Sequence, residues 1–271
     1  MNQFKEKVFF ITGASSGIGL ALAMELAPHG ARLALCSRRV HLLEDLQMLV
    51  EDLTDILVLP FDVGDFSESS NAVKKTIKKW GRIDYLINNA GIINNMHFHE
   101  QQWASIEELN RINYLAPAKL IQMVIPHMLQ QNNGHIVNVS SICGIVALPY
   151  VASYSASKFA LVGLTEALRR EYHGTGVTFT AFCPGNVDTP MIAESMKNKR
   201  FTKLAKPMTA KKAALIIMDC CLLRKPEKIS GEIPAIVARA SKFFPLMVDY
   251  MIHWIYRRIH PVARARFSIK K

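Results

Sequence analysis

Residues 8–19 read Val8-Phe9-Phe10-Ile11-Thr12-Gly13-Ala14-Ser15-Ser16-Gly17-Ile18-Gly19. An apolar run runs straight into a glycine-rich turn, and apolar residues then recur at helical spacing over 18–27. A strand, a tight turn and a helix are what this pattern predicts. In such a turn Gly13 permits the bend, Gly17 lets the backbone approach a phosphate, and Gly19 lets helix and strand pack closely. The helix start offers unpaired N–H groups and the positive end of its dipole, which suits a pyrophosphate. Ser15, Ser16 and Ile18 complete the lining of the loop. The spacing is Gly-x3-Gly-x-Gly, wider than the common Gly-x-Gly-x-x-Gly, so the weight rests on the flanking strand and helix.

Outward from this stretch the same texture repeats. Apolar runs at 8–12, 32–37, 55–60, 83–88, 135–140 and 177–183 alternate with amphipathic segments at 18–27, 40–51, 67–80, 105–131, 153–172 and 210–223. Strands apolar on both faces, alternating with helices, imply a parallel sheet covered on both sides. This is the doubly wound, Rossmann-type α/β architecture. Turn residues agree: Gly30 ends the first helix, Gly81 the third, and Asn132-Asn133-Gly134 precedes the fifth strand.

The 271 residues are 50% hydrophobic, which rules out a mainly disordered chain. Five cysteines, an odd number without CxxC spacing, argue against a disulfide scaffold and for free thiols in a reducing compartment. Met1 to Lys7 is short and polar, with no secretory leader pattern, so a cytoplasmic location is expected. The net charge of +11 is unevenly placed. Residues 197–271 carry 18 Lys and Arg against 4 Asp and Glu, whereas residues 1–196 carry 15 against 18. With the excess confined to one end and no nucleic-acid-binding module, no nucleic-acid partner is expected.

An acidic residue after the second strand would accept the ribose 2′-OH of NAD. Here the chain reads Cys36-Ser37-Arg38-Arg39, and guanidinium groups favour the 2′-phosphate of NADP. NADP(H) is therefore favoured over NAD(H), with Arg38 leading and Arg39 as helper. Asp62 and Val63, after the third strand, are placed to meet the adenine edge.

Tyr154 and Lys158 are one helical turn apart and share a face. An ammonium beside a phenol stabilises the phenolate and brings the phenol toward acid–base work. Ser141 stands at the end of the fifth apolar run, Asn88-Asn89-Ala90-Gly91 after the fourth, and Asn113 within the long segment 105–131. Pro184-Gly185-Asn186-Val187-Asp188-Thr189 follow the sixth. Polar residues thus gather past the carboxyl ends of the strands, where open α/β sheets bind ligands.

These motifs together resemble those of the short-chain dehydrogenase/reductases, over about residues 5–230. The resemblance implies a seven-stranded parallel sheet and hydride exchange between a nicotinamide and a carbonyl/alcohol pair. It implies that Tyr154 moves the proton, Lys158 lowers the Tyr154 pKa and binds ribose, Ser141 holds the substrate oxygen, and Asn113 holds a water leading to Lys158. Ser140 fits the family interval less well. Asn88, Ala90 and Gly91 would line the cofactor groove, Pro184 and Gly185 would follow the last inner strand, and Val187 and Thr189 would meet the carboxamide. The resemblance requires no metal, and His97 and His99 are expected to be structural or surface residues. Many NADP-preferring relatives carry Lys or Arg where this chain has Ser16, so the cofactor expectation rests on Arg38 and Arg39.

The catalytic domain is expected over 1–235, with a substrate lid at about 187–209 whose apolar residues suggest a hydrophobic substrate. The lipid-like ketones of ketosphinganine-type reductases are one class, and 3-oxoacyl thioesters are the alternative. Residues 236–271 form a basic extension with an amphipathic helix between Phe243-Phe244-Pro245 and His260-Pro261. The apolar run is shorter than the ~20 residues a bilayer span needs, so the helix suits a peripheral place on an anionic membrane, or packing on the body or a second subunit. The resemblance also implies a homo-oligomer paired through the helices at 105–131 and 152–173.

Overall fold

The computed structural model describes residues 3–195, 207–231, 236–237, 240–241 and 243–259. The strands are β1 (Val8–Thr12), β2 (Arg32–Ser37), β3 (Ile56–Pro60), β4 (Tyr85–Asn88), β5 (Gly134–Val139), β6 (Val177–Pro184), β7 (Val187–Asp188), β8 (Met208–Thr209) and β9 (Glu227–Ser230). The helices are α1 (Gly17–Leu26), α2 (Val40–Val50), α3 (Phe66–Trp80), α4 (Trp103–Asn110), α5 (Ala116–Gln130), α6 (Ala152–Glu171), α7 (Pro190–Ser195), α8 (Ala210–Leu223) and α9 (Pro245–Ile259). Seven strands form one parallel sheet in the order β3-β2-β1-β4-β5-β6-β9.

Alternation along each strand divides the core. Phe9, Ile11, Leu33, Leu35 and Ile87 face one side, against Leu22 and Leu26 of α1, Leu43 and Leu46 of α2, and Ile217 of α8. Val8, Phe10, Ala34, Leu86 and Ile136 face the other, against Val73 of α3, Leu120 and Val124 of α5, and Leu164 and Leu168 of α6. Both faces are buried, which explains the near-continuous apolar strands. The order reverses at β1, which pairs with β2 on one side and β4 on the other. A crevice therefore opens beyond the carboxyl ends of β1 and β4.

Two elements depart from the sequence expectation. The helix expected over 105–131 is interrupted by a π turn at Arg111–Leu115. Pro117, in the first turn of α5, has no N–H to give to the carbonyl four residues back, that of Asn113. The seventh strand, β9, did not announce itself as an apolar run. It is a short edge strand with Glu227 exposed and only Ser230 buried.

The expected lid has a clasp at its base. β7 and β8 pair in parallel, Val187 with Met208 and Asp188 with Thr209, so the chain leaves and returns at one place. Helix α7 starts this excursion; residues 196–206, with all four lysines of the expected lid, lie outside the described residues. The C-terminal helix begins at Pro245, as the Phe243-Phe244-Pro245 signal implied. Residues 260–271 also lie outside the described ones. Among the described residues, no helix is long and apolar enough to cross a membrane.

Candidate active site

At the switch point two side chains fasten β1 to β4. The Thr12 hydroxyl accepts hydrogen bonds from the backbone N–H of Asn89 at 2.9 Å and of Ala90 at 3.0 Å. The Asn89 amide returns one to the Thr12 carbonyl at 2.9 Å. Gly13 has φ +67°, the left-handed region where glycine is favoured, and a Cβ there would stand 3.0 Å from the Ala90 Cα. A Cβ on Gly19 would stand 2.4 Å from the Gly13 carbonyl oxygen, so helix and loop are in closest approach there.

Helix α1 opens without a side-chain cap from Ser16. Its first N–H groups stay available to an anion. The Ser16 hydroxyl instead accepts from Arg39 Nη2 at 2.6 Å, and the Ser15 hydroxyl from Arg39 Nε at 3.1 Å and Nη2 at 2.8 Å. Ser15 also shares a 2.6 Å hydrogen bond with Ser37. Arg39 therefore lies across the glycine loop, beside the open helix end. Arg38, expected to lead, is largely exposed and pairs with Asp62 at 3.5 Å. A positive cradle with an uncapped helix start fits the pyrophosphate and phosphate of a dinucleotide.

These groups line one end of a cleft of about 300 Å³, at the lower end of the range for small-molecule sites. Gly13, Ser15, Ser16, Gly17 and Ile18 lie on it, with Arg38, Arg39, Asp62 and Val63 at the margin. Ala90 and Gly91 follow, and Pro184, Gly185, Val187 and Thr189 form the far wall. Gly19 acts through packing rather than as lining. Asn88 does not line the groove, contrary to the sequence expectation. It is the last residue of β4, and its amide donates inward to Asn138 at 2.8 Å. Asn89 takes the groove position.

At the other end of the cleft, α6 presents Tyr154 and Lys158, both buried, toward Ser141 at the end of β5. The structure brings Ser141 rather than Ser140 beside the phenol, where its hydroxyl favours the phenolate. Ser140 donates to the Lys158 carbonyl at 3.1 Å. Lys158 Nζ donates to the Val139 carbonyl at 2.9 Å and stands 5.8 Å from the centre of the Tyr154 ring. Asn113, fully buried in the π turn, accepts from the Ile92 N–H at 2.9 Å. It donates to the Ile92 carbonyl at 2.9 Å and to Ser157 at 3.1 Å. Both amide hydrogens are engaged and the side-chain oxygen already accepts once, so the side chain has little left to offer a water. Its clearest part is to brace the 90–93 loop against α6.

The expected depression of the Tyr154 pKa is not what this arrangement produces. Burial pushes the phenol above its ordinary value, and neighbouring Cys143 and Cys183 add to the rise, while Ser141 pulls it down. Burial also lowers Lys158 to about 8. Desolvation penalises both charged forms together, and Lys158 does not contribute to the Tyr154 shift. Cys143 also lines the cleft, and burial holds its thiol in the protonated form. Lys158 is charged below its folded pKa and neutral above it. Turnover that develops charge on Tyr154 should fall as pH rises through about 8. A pH–rate profile that stays level from neutrality to well above that value would refute this role for Lys158.

The loop from Ser141 to α6 ends at Tyr150, a non-glycine residue with φ +67°. Such a conformation costs of order 1 kcal/mol or more and needs support. Support comes from both sides. The Tyr150 ring packs at a tilt against His97 at 4.5 Å and stacks on Tyr256 of α9 at 5.5 Å, and the Tyr256 hydroxyl donates to the Pro149 carbonyl at 2.9 Å. Val248 of α9 is buried against Val146 of the same loop. Sequence reading missed Thr12, Asn89, Tyr150 and Tyr256. For Thr12 and Asn89 the signal was present in the motifs themselves.

A nucleotide cradle at one end of the crevice and a Ser–Tyr–Lys group at the other define a dinucleotide-dependent oxidoreductase. The profile of the short chain dehydrogenase family matches residues 7–200, and the chain belongs to that family. It is 36% identical over 200 residues to human dehydrogenase/reductase SDR family member 7, covering 72% of this chain and 59% of the human protein. It is 31% identical over 262 residues to a ketoacyl reductase of Nostoc, covering 94% of this chain and 91% of that one. Among solved structures, levodione reductase superposes with a TM-score of 0.81 at 28% identity, over 86% of this chain and 99% of that one.

Proposed function

We propose that the chain exchanges hydride between NADP(H) and the carbonyl/alcohol group of a hydrophobic substrate, working as a reductase. The observation that carries this reading is the convergence of Ser141, Tyr154 and Lys158, the last two one turn apart on α6, at the apolar end of a cleft that begins under Arg39. The nicotinamide, when bound, supplies the hydride. The protein binds, orients and handles the proton. Gly13, Gly17 and the start of α1 would hold the pyrophosphate, and Arg39 with Arg38 the 2′-phosphate. Asp62 and Val63 would flank the adenine, and Val187 and Thr189 the carboxamide. Tyr154 delivers its proton to the substrate oxygen. Ser141 donates a hydrogen bond as negative charge develops there.

Ile93, Ile142, Leu148, Met191 and Ile192 give the substrate end an apolar wall, which supports a hydrophobic ketone. Likeness to a ketoacyl reductase over nearly the whole chain favours a second reading, a 3-oxoacyl thioester. NADPH oxidation against ketones of graded length, beside the matching acyl thioesters, separates them. Turnover that rises with chain length on free ketones supports the first reading, and turnover confined to thioesters the second. Oxidation of none of them would count against both.

Cofactor choice has its own test. Charge-assisted hydrogen bonds contribute about 1.5–3 kcal/mol, or about 10–100-fold. Arg39→Ala should raise the Kd for NADPH by that factor and change NADH far less. Arg38→Ala should have the smaller effect, since Arg38 is exposed and paired with Asp62. Equal losses on both cofactors would remove the case for NADP. A homo-oligomer is also proposed, paired through α5 and α6, where Phe159 is exposed on α6. Light scattering measures it directly.

A further inference from the structure

Helix α9 has two apolar faces. The inner one seats Val248, Met251 and Ile252 on the loop that follows Ser141. The outer one carries Leu246 at 82% exposure, Tyr250 at 74%, Met247 at 59% and Trp254 at 47%, with Phe243 at 78% just ahead of the helix. At one hundred degrees per residue, residues 243, 246, 247, 250 and 254 fall on one stripe, opposite Val248 and Ile252. A helix apolar on both sides needs a second apolar surface, and exposed apolar stripes of this kind mark interaction sites.

Charge says what covers it. The exposed Arg257 continues the same stripe. Arg258, Arg264, Arg266, Lys270 and Lys271 follow in the sequence, against Asp249 as the lone acid from residue 243 onward. Aromatic and long apolar side chains beside clustered Arg and Lys match the boundary of an anionic bilayer, where rings sit at headgroup depth and cations meet lipid phosphates and carboxylates. We propose that the outer face of α9 docks on an anionic membrane surface, lying in its plane. Its inner face meanwhile holds the loop that supports Tyr150, so the docked face lies one helix thickness from the mouth of the cleft.

Co-sedimentation of the full chain tests this with two vesicles: phosphatidylcholine alone, and phosphatidylcholine with a quarter phosphatidylserine. The chain should partition onto the anionic vesicles at least about tenfold more strongly, and added salt should weaken that binding. Leu246→Gln with Tyr250→Gln should lower anionic binding by about tenfold or more. The same variant should keep NADPH binding and turnover of a water-soluble ketone, which shows that it is folded. A wild-type chain that stays in solution with anionic vesicles overturns the proposal, and so does unchanged binding by the double variant. If the variant instead loses self-association in light scattering, with vesicle binding intact, the face belongs to a second copy and the proposal fails. Hydride transfer does not enter these binding readouts, so their failure is separable from failure of the proposed activity.

Discussion

Tyr154→Phe should lower kcat by about 10²–10⁴-fold, the usual contribution of a positioned general acid. The substitution removes one hydroxyl and keeps the ring, which packs with Leu109, Cys143 and Val151. Folding should therefore be nearly unchanged, and the Kd for NADPH should stay within about threefold, well under 1 kcal/mol. Burial keeps the phenol protonated at neutral pH, so the proton it would transfer is in place. Stopped-flow measurement of the hydride step, with fluorescence titration of NADPH, separates chemistry from binding. Loss of both together would place Tyr154 in cofactor binding instead, and retained turnover would remove it from the reaction.

Gly19→Ala should be the most damaging single methyl at the glycine turn. The new Cβ would stand 2.4 Å from the Gly13 carbonyl oxygen and 2.7 Å from the Asn89 amide nitrogen. Neither neighbour can yield cheaply. Gly13 is in the left-handed region, and the Asn89 amide is bonded to Thr12 and Gly13. Overpacking of this kind costs about 1–3 kcal/mol of stability. The larger loss is in affinity, because the displaced carbonyl belongs to the loop proposed to hold the pyrophosphate. NADPH binding should weaken by about 100-fold or more, equivalent to about 2.7 kcal/mol. Calorimetric titration and thermal unfolding measure the two effects. An alanine variant that binds NADPH as wild type does would mean that α1 slides to make room and that the loop geometry is not limiting.

The parallel sheet was legible because strands buried on both faces must be largely apolar, and six of them are. The seventh was not, since β9 is an edge strand with exposed polar residues at its start. Adjacent pairs set the limit of sequence reading. Asn88 and Asn89 look equivalent in one dimension, yet the last strand residue points into the sheet and the next one turns over the loop. Arg38 and Arg39 differ in the same way: the turn after Ser37 sends Arg39 back over Ser15 and Arg38 outward to Asp62. The π turn at Asn113 was hidden because apolar periodicity continues across it. The acidity of Tyr154 depends on burial by residues far apart in the chain, which motif spacing does not carry.

The sheet order divides labour along the chain. Every residue proposed to hold the nucleotide phosphates comes before residue 40, whereas the chain after β9 departs from the last strand at the end proposed for the substrate. The described contacts of α9 fall on Val146, Pro149 and Tyr150, which belong to the second half of the fold. A change in α9 would therefore be felt first by the loop that follows Ser141, at the far end of the cleft from the glycine turn.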